Sequence, residues 1–281
     1  MSRIVTRFAP SPTGYLHLGH VCAAKVAHDL ASQHAGEFLL RFEDIDHTRV
    51  REHFYGAIED DLRWLGLDWS KPPIRQSTRN DAYTAALTCL QELGVVYPCF
   101  CTRREIEHEI SQMARAPHGP EGALYPGICR RLSADERANR IETGAKPAWR
   151  LDVGKAMQIT GNLTFSDQIH GDVSVVPDLL GDVVLARKDI GTSYHLAVVT
   201  DDAFQQITHV TRGEDLLPST HVHRILQQLL GHREPVYLHH PLILDEHGKR
   251  LAKRDESLSI LHLRQRGLTQ DEVLAKLSGP R

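Results

Sequence analysis

Nowhere in this 281-residue chain do apolar residues run on for the ~18–20 positions that a membrane helix needs, so nothing in it reads as a bilayer span. An excess of one charge is missing too. Lys and Arg total 33 against 36 Asp and Glu, a net charge of −3, which confines any RNA contact to a local basic patch. The opening Met1-Ser2-Arg3-Ile4-Val5-Thr6-Arg7 lacks the basic, apolar and small-residue order of a secretory signal, and the expected location is the cytoplasm. Cysteine is scarce and odd in number. Cys22, Cys89, Cys99, Cys101 and Cys129 make no obvious disulfide framework and suit a reducing compartment, as free thiols or on a metal. There is no internal repeat and no low-complexity tract. What is present is an ordinary globular composition, 41% apolar and 25% charged, on a chain long enough for one large domain or a core with insertions.

Along the chain, strand and helix alternate in the manner of a parallel α/β sheet. Residues 3–8 read as a strand. The loop Ala9-Pro10-Ser11-Pro12-Thr13-Gly14-Tyr15 is full of breakers, and a helix is expected from Leu18 to about Ala35, stopped by Gly36. Residues 38–44 read as a buried strand turning acidic at its carboxyl end, where open α/β sheets hold ligands. Helical spacing follows in Phe54, Ile58, Leu62 and Leu65, and again in Tyr83, Leu87 and Leu90. Later strands are expected at 148–153, 159–165, 183–185, 207–211 and 236–244, with helices at 194–203 and 220–230 and a short helical tail. The division expected is a first half of a nucleotide-binding core (1–96), an insertion organised by cysteines (97–132), a second insertion with the other half of the core (133–215), and a basic-loop region with the tail (216–281).

Chemistry concentrates in Arg7-Phe8-Ala9-Pro10-Ser11-Pro12-Thr13-Gly14-Tyr15-Leu16-His17-Leu18-Gly19-His20: a strand, a rigid loop, and a His-x-Gly-His opening a helix. Backbone N–H groups at a helix start favour phosphate, Gly19 allows close approach, and two imidazoles can donate to phosphate oxygens as charge develops. Taken alone, His-x-Gly-His reads equally well as a helix cap. Cys99-x-Cys101 and Cys129 lie in an insertion too small to bury much core, where a structural metal would supply stability; spacing alone leaves three unrelated buried thiols equally open. Cys22 and Cys89 are expected to be core residues, and the remaining histidines mostly surface ones.

The full fourteen-residue block resembles the class I aminoacyl-tRNA synthetases, in their glutamate-specific branch. Similar blocks follow in order: Leu40-Arg41-Phe42-Glu43-Asp44-Ile45-Asp46-His47-Thr48-Arg49, Asp61-Leu62-Arg63-Trp64-Leu65-Gly66-Leu67 and Gln76-Ser77-Thr78-Arg79. The resemblance covers the chain to about residue 260. It implies a Rossmann-like catalytic core, and catalysis by His17, His20 and Lys253, with ATP also on Gly19. Lys253 stands in a basic loop, Lys249-Arg250-Leu251-Ala252-Lys253-Arg254, that departs from the family pattern at Arg250 and Ala252. The resemblance further implies glutamate held by Arg7, Phe8, Ala9, Pro10 and Ser11, with Glu43 receiving its ammonium and Tyr194 and Arg212 completing the pocket. A bidentate arginine–carboxylate pair is the geometry that rejects glutamine. Short members of this branch bind zinc through a similar Cys-x-Cys…Tyr-x-x-x-Cys set, which implies Tyr125 as fourth ligand with Cys99, Cys101 and Cys129, in preference to His108 or His118. Few residues follow Arg254, so a separate anticodon-binding domain is not expected. The short branch implies tRNA-independent activation of glutamate with ATP and Mg²⁺, transfer to queuosine in tRNA-Asp, and a monomer. Two other readings stay open: a small-molecule glutamate ligase on the same scaffold, and a non-catalytic tRNA-binding paralog.

Overall fold

The computed structural model describes residues 3–112, 118–120, 122–242 and 259–277. In chain order these form β1 (Val5–Phe8), α1 (Leu18–Gln33), β2 (Glu37–Phe42), α2 (His53–Trp64), β3 (Ile74–Arg75), α3 (Asn80–Glu92), β4 (Val96–Cys99), α4 (Arg103–Gln112), β5 (His118–Gly119) and β6 (Gly122–Ala123). There follow α5 (Ala134–Glu142), β7 (Ala148–Leu151), α6 (Val153–Thr160), β8 (Thr164–Asp167), β9 (Gly171–Ser174), β10 (Val184–Ala186), α7 (Tyr194–Phe204), β11 (His209–Gly213), α8 (Leu217–Leu229), β12 (Val236–His240), α9 (Ile260–Gln265) and α10 (Gln270–Ala275).

A parallel sheet organises the molecule. β1, β2 and β3 pair in parallel, and β11, β12 and β8 do the same, with β9 antiparallel at the edge. The two groups meet where Thr208 N–H donates to Val5 O at 3.0 Å and Val236 N–H donates to Thr208 O at 2.9 Å, which places β1 beside β11. The chain order reverses between these neighbours, and such a switch point opens a ligand crevice at the carboxyl ends of the strands. β2 is buried along nearly its whole length, as its apolar run Phe38-Leu39-Leu40 requires of a central strand covered on both faces. α1 turns Val21, Ala24, Ala27 and Ala31 inward, small side chains that let its backbone approach β1 closely enough for Thr6 Oγ1 to donate to Ala27 O. A Cβ on Gly36 would run into the carbonyl of Ile4, so only glycine allows the return into β2.

Around this sheet lie two larger apolar clusters. One joins α1, β2 and α2 to Ile260, Leu263 and Val273 of the last two helices. The other packs α3, α6, α7 and α8 together. A second, antiparallel sheet, β10-β7-β4, leads through Cys99 into the cysteine-bearing insertion. The expected strand at 159–165 is corrected: α6 occupies 153–160, because Asp152 caps its start through Lys155 N–H and Gly161, at φ 66°, ends it, so the strand begins only at Thr164. Cys89 is exposed on α3, not buried in the core as expected, while Cys22 is half-buried on α1. Lys249, Arg250 and Lys253 lie outside the described residues.

Candidate active site and metal centre

His17 is the N-cap of α1. Its Nδ1 accepts from Gly19 N–H at 3.1 Å, and His20 Nδ1 accepts in return from His17 N–H at 3.4 Å, so two imidazoles form a reciprocal capping box. The rings stack with centroids 3.7 Å apart. Because each Nδ1 accepts, each ring's proton sits on Nε2, where it is a donor suited to phosphate oxygens at a helix start. A Cβ on Gly19 would press on the His17 ring at 3.1 Å, so this glycine keeps the ring in place as well as the approach open. The loop before it is pinned by Glu43 N–H on Pro10 O and Arg51 N–H on Pro12 O. On the far side of the basic segment, Ser259 bridges to His17 and Ile260 N–H donates to Leu16 O at 2.8 Å. The chain that carries Lys253 therefore returns beside the histidines.

The carboxyl ends of β1, β2 and β11 gather three buried arginines. Arg7 donates to Asp202 at 3.0 and 3.3 Å. Arg41 donates to Asp202 at 2.7 Å, to Gln205 at 3.0 Å and to Glu43 at 3.3 Å. Arg212 donates to Tyr194 Oη at 3.3 Å. Burial would raise the Asp202 carboxyl, but Arg7 and Arg41 hold it below its ordinary range. Burial pushes Glu43 up, with Arg41 and Arg7 opposing, and burial likewise raises the Tyr194 hydroxyl. Three guanidiniums (Arg7, Arg41, Arg212) against two carboxylates (Glu43, Asp202) leave one positive charge, the complement of an amino acid with two carboxylates and one ammonium. Phe8 belongs to the core and Pro10 is buried; Ser11 is exposed and Ala9 partly so. Phe8 can therefore offer a ligand only its backbone.

Sequence reasoning missed Arg41, Asp201 and Asp202. Asp201 is wholly buried and accepts from Gln76 at 2.9 Å, Arg79 at 2.6 Å and Tyr83 at 2.7 Å, which explains the Gln76-Ser77-Thr78-Arg79 block as the clamp on α7. Two adjacent aspartates just after the apolar run Leu196–Val199 of α7 were the available signal. Four histidines depart from the expectation that most lie at the surface: His221, His223, His239 and His240 are buried.

In the insertion, the ligand atoms of Cys99, Cys101 and Cys129 lie within 4.8 Å of one another. Tyr125 Oη stands 3.4 Å from Cys99 Sγ and 3.5 Å from Cys101 Sγ, while Cys101 and Cys129 Sγ are 3.4 Å apart. Tetrahedral edges around Zn²⁺ with Zn–S ~2.3 Å and Zn–O ~2.0 Å come to about 3.5–3.8 Å, so this donor set fits one small divalent cation. Tyr125 Oη already accepts from Cys129 N–H at 2.8 Å, and Arg150 stacks on its ring at 3.8 Å, both favouring the phenolate. Burial pushes the Cys101 thiol up to about 12, and a bound cation reverses such a shift. His108 is exposed on α4 and is not among the clustered ligand atoms. Lys188 Nζ donates to Phe100 O and Cys101 O, tying the knuckle to the loop that precedes α7.

Among the described residues, no helix is long and apolar enough to cross a membrane. Residues 3–277 match the family described as tRNA synthetases class I (E and Q), catalytic domain. A glutamyl-Q tRNA(Asp) synthetase of Rhodobacter capsulatus is 46% identical, the match covering 96% of this chain and 98% of that protein. One from Nocardia farcinica is 45% identical over 97% of this chain and 83% of its own length. A glutamate tRNA ligase from Elizabethkingia meningosepticum, solved in complex with its amino acid, superposes with a TM-score of 0.76 at 30% identity, covering 90% of this chain and 52% of the ligase. The chain belongs to the class I tRNA synthetases (E and Q), and within them to the glutamyl-Q tRNA(Asp) synthetases.

Proposed function

We propose that this enzyme activates glutamate with ATP, without tRNA, and transfers it to the queuosine of tRNA-Asp, in the cytoplasm and as a monomer. The observation that carries the reading is the single excess positive charge among Arg7, Arg41, Arg212, Glu43 and Asp202, beside a helix start capped by two imidazoles. Glutamate lies against Arg7, Phe8, Ala9, Pro10 and Ser11, its ammonium on Glu43 and a carboxylate on Arg212 and Tyr194. ATP, with Mg²⁺ shielding the triphosphate, lies over Gly19. The α-carboxylate attacks the α-phosphorus in line and pyrophosphate departs. His17, His20 and Lys253 stabilise the charge, positioning and electrostatics supplying most of the acceleration. A queuosine hydroxyl then attacks the glutamyl-adenylate and AMP leaves.

Zinc on Cys99, Cys101, Tyr125 and Cys129 is the structural metal of the 97–132 insertion in this reading, between core halves at 1–96 and 133–215 and the 216–281 region that carries Lys253. Its role is to hold a segment whose own apolar cluster is only Tyr97, Cys99 and Cys129 with a few half-buried neighbours.

The test is ATP–pyrophosphate exchange with glutamate, glutamine or aspartate in the absence of tRNA, followed by charging of queuosine-containing and queuosine-free tRNA-Asp with labelled glutamate. Exchange with glutamate alone, and label on the modified tRNA alone, is the expected result. No exchange by zinc-replete protein would sink the enzymatic reading, and exchange without labelled tRNA would sink the queuosine acceptor.

A further inference from the structure

Arg212 differs from the other arginines of the crevice in what holds it. Arg7, Arg41 and Arg79 each have an aspartate within ion-pair distance. Among the described residues Arg212 has none: Nε donates to His239 Nε2 at 3.2 Å, Nη1 to His223 Nδ1 at 3.2 Å and to Tyr194 Oη, and Nη2 to Thr220 Oγ1. A guanidinium can only donate, so both imidazole nitrogens facing it must carry lone pairs. Each ring's proton is thereby displaced to the far nitrogen, and each far nitrogen has a partner. His223 Nε2–H points at His195 Nδ1, 3.1 Å away. His239 Nδ1–H points at Asp167 Oδ2, 2.6 Å away, with both side chains fully buried.

Asp167 is itself built in. Its Oδ1 accepts from Ile169 and His170 N–H at 2.9 Å each, and its Oδ2 also accepts from His239 N–H at 3.1 Å. It sits at the end of β8, His239 on β12 and Arg212 on β11, so the three side chains are registered by neighbouring strands. We infer that Asp167 and His239 are positioning residues for substrate selection: Asp167 fixes the tautomer of His239, which orients the Arg212 guanidinium while leaving its charge unneutralised for a carboxylate of the substrate. The inference rests on the reading of Arg212 as a glutamate ligand given above.

Interposing a neutral ring between aspartate and arginine has a physical consequence. A carboxylate in direct contact with Arg212 would compete with the substrate's own carboxylate, whereas an imidazole supplies direction without charge. Burial keeps the ring neutral, the His239 imidazole being pushed down to about 4. A buried, unneutralised guanidinium is costly until an anion arrives. Where Arg212 takes the side-chain carboxylate, glutamine, whose side chain is an uncharged amide, cannot repay that cost, and the arrangement favours glutamate.

The experiment is tRNA-free ATP–pyrophosphate exchange by the full chain, with glutamate and glutamine titrated separately, on the wild type and on Asp167→Asn, His239→Leu, His239→Gln and Arg212→Gln, each checked by circular dichroism and thermal melting. Asp167→Asn and His239→Leu are expected to raise the KM for glutamate by about 10- to 100-fold, the worth of a hydrogen bond to a charged group, with the KM for ATP unmoved and kcat changed far less. His239→Gln, whose amide oxygen can stand where Nε2 stands, is expected to recover much of the loss. Folded Asp167→Asn with an unaltered KM for glutamate, alongside an impaired Arg212→Gln, overturns the inference and leaves the glutamate reading intact. Should Asp167→Asn not fold, equal KM values for His239→Gln and His239→Leu overturn it. An unaltered KM in Arg212→Gln overturns both.

Discussion

At the residue scale, His17 caps α1 through Gly19 N–H onto Nδ1, and the proposed function gives it a second duty, donation from Nε2 to phosphate, that ordinary substitutions confound with the first. Alanine removes both, at about 1 kcal/mol for the lost cap. Asparagine is a good N-cap but has no second ring nitrogen, so it separates the duties. His17→Asn is expected to keep the wild-type unfolding free energy in urea to within a few tenths of a kcal/mol while losing most of the glutamate-dependent exchange. An Asn variant that exchanges at the wild-type rate would assign His17 to capping alone. The motif is ambiguous when read alone because the observed cap uses Nδ1 and leaves Nε2 for the proposed phosphate contact, so one duty does not exclude the other.

At the scale of elements, α7 and the cysteine insertion illustrate two ways of holding a small unit in place. α7 is anchored by charge, its Asp201 receiving Gln76, Arg79 and Tyr83 and its Asp202 receiving Arg7 and Arg41. The insertion has few apolar contacts and gathers its thiols and Tyr125 at tetrahedral spacing instead. Loading the site with Co²⁺ makes the donor set visible. Tyr125→Phe is expected to keep the thiolate-to-cobalt charge-transfer absorption, shift the visible ligand-field bands and weaken metal binding, since three thiolates remain and one oxygen is lost. Unchanged bands and affinity would remove Tyr125 from the ligand set. Lys188, donating to Phe100 O and Cys101 O, ties the loop ahead of α7 to the knuckle by hydrogen bonds.

For the molecule as a whole, the buried histidines make stability depend on pH. Burial, with Arg212 adding to it, pushes His195 and His239 down to about 4 and His223 well below its ordinary value of 6.5. In the unfolded chain these rings take up protons near 6.5; in the folded one His195 and His239 do so only near 4, and His223 well below its ordinary value. The stability that their neutrality contributes is therefore complete above pH 6.5 and is lost as pH falls toward 4. The urea midpoint is expected to drop steadily through that window, and less steeply in His195→Asn, which removes one titrating ring. A midpoint flat from pH 7 to 4.5 would show that these rings stay neutral on unfolding or charge freely in the fold.

The local units were legible in the sequence. Period-2 and period-3.6 patterns, the breaker-rich loop and Gly36 placed β1, α1, β2, α2 and α3 within a few residues, because each signal acts between neighbours in the chain. The histidine motif and the cysteine spacing marked their sites for the same reason. At 159–165 a local signal, the Asp152 cap and Gly161, outweighed the strand pattern, and Cys89 turned outward on α3, while four histidines lie buried against the general expectation of surface positions. Arg7 and Arg41 meet Asp202 across more than 160 residues of chain, and Asp167 meets His239 across 72. What the sequence determined on its own is which residues can cap, turn, ligate or carry charge. Which of those charges are neutralised inside the fold and which are not was decided only when β1 and β11 came to lie side by side, since a buried charge is defined by neighbours that no local pattern names.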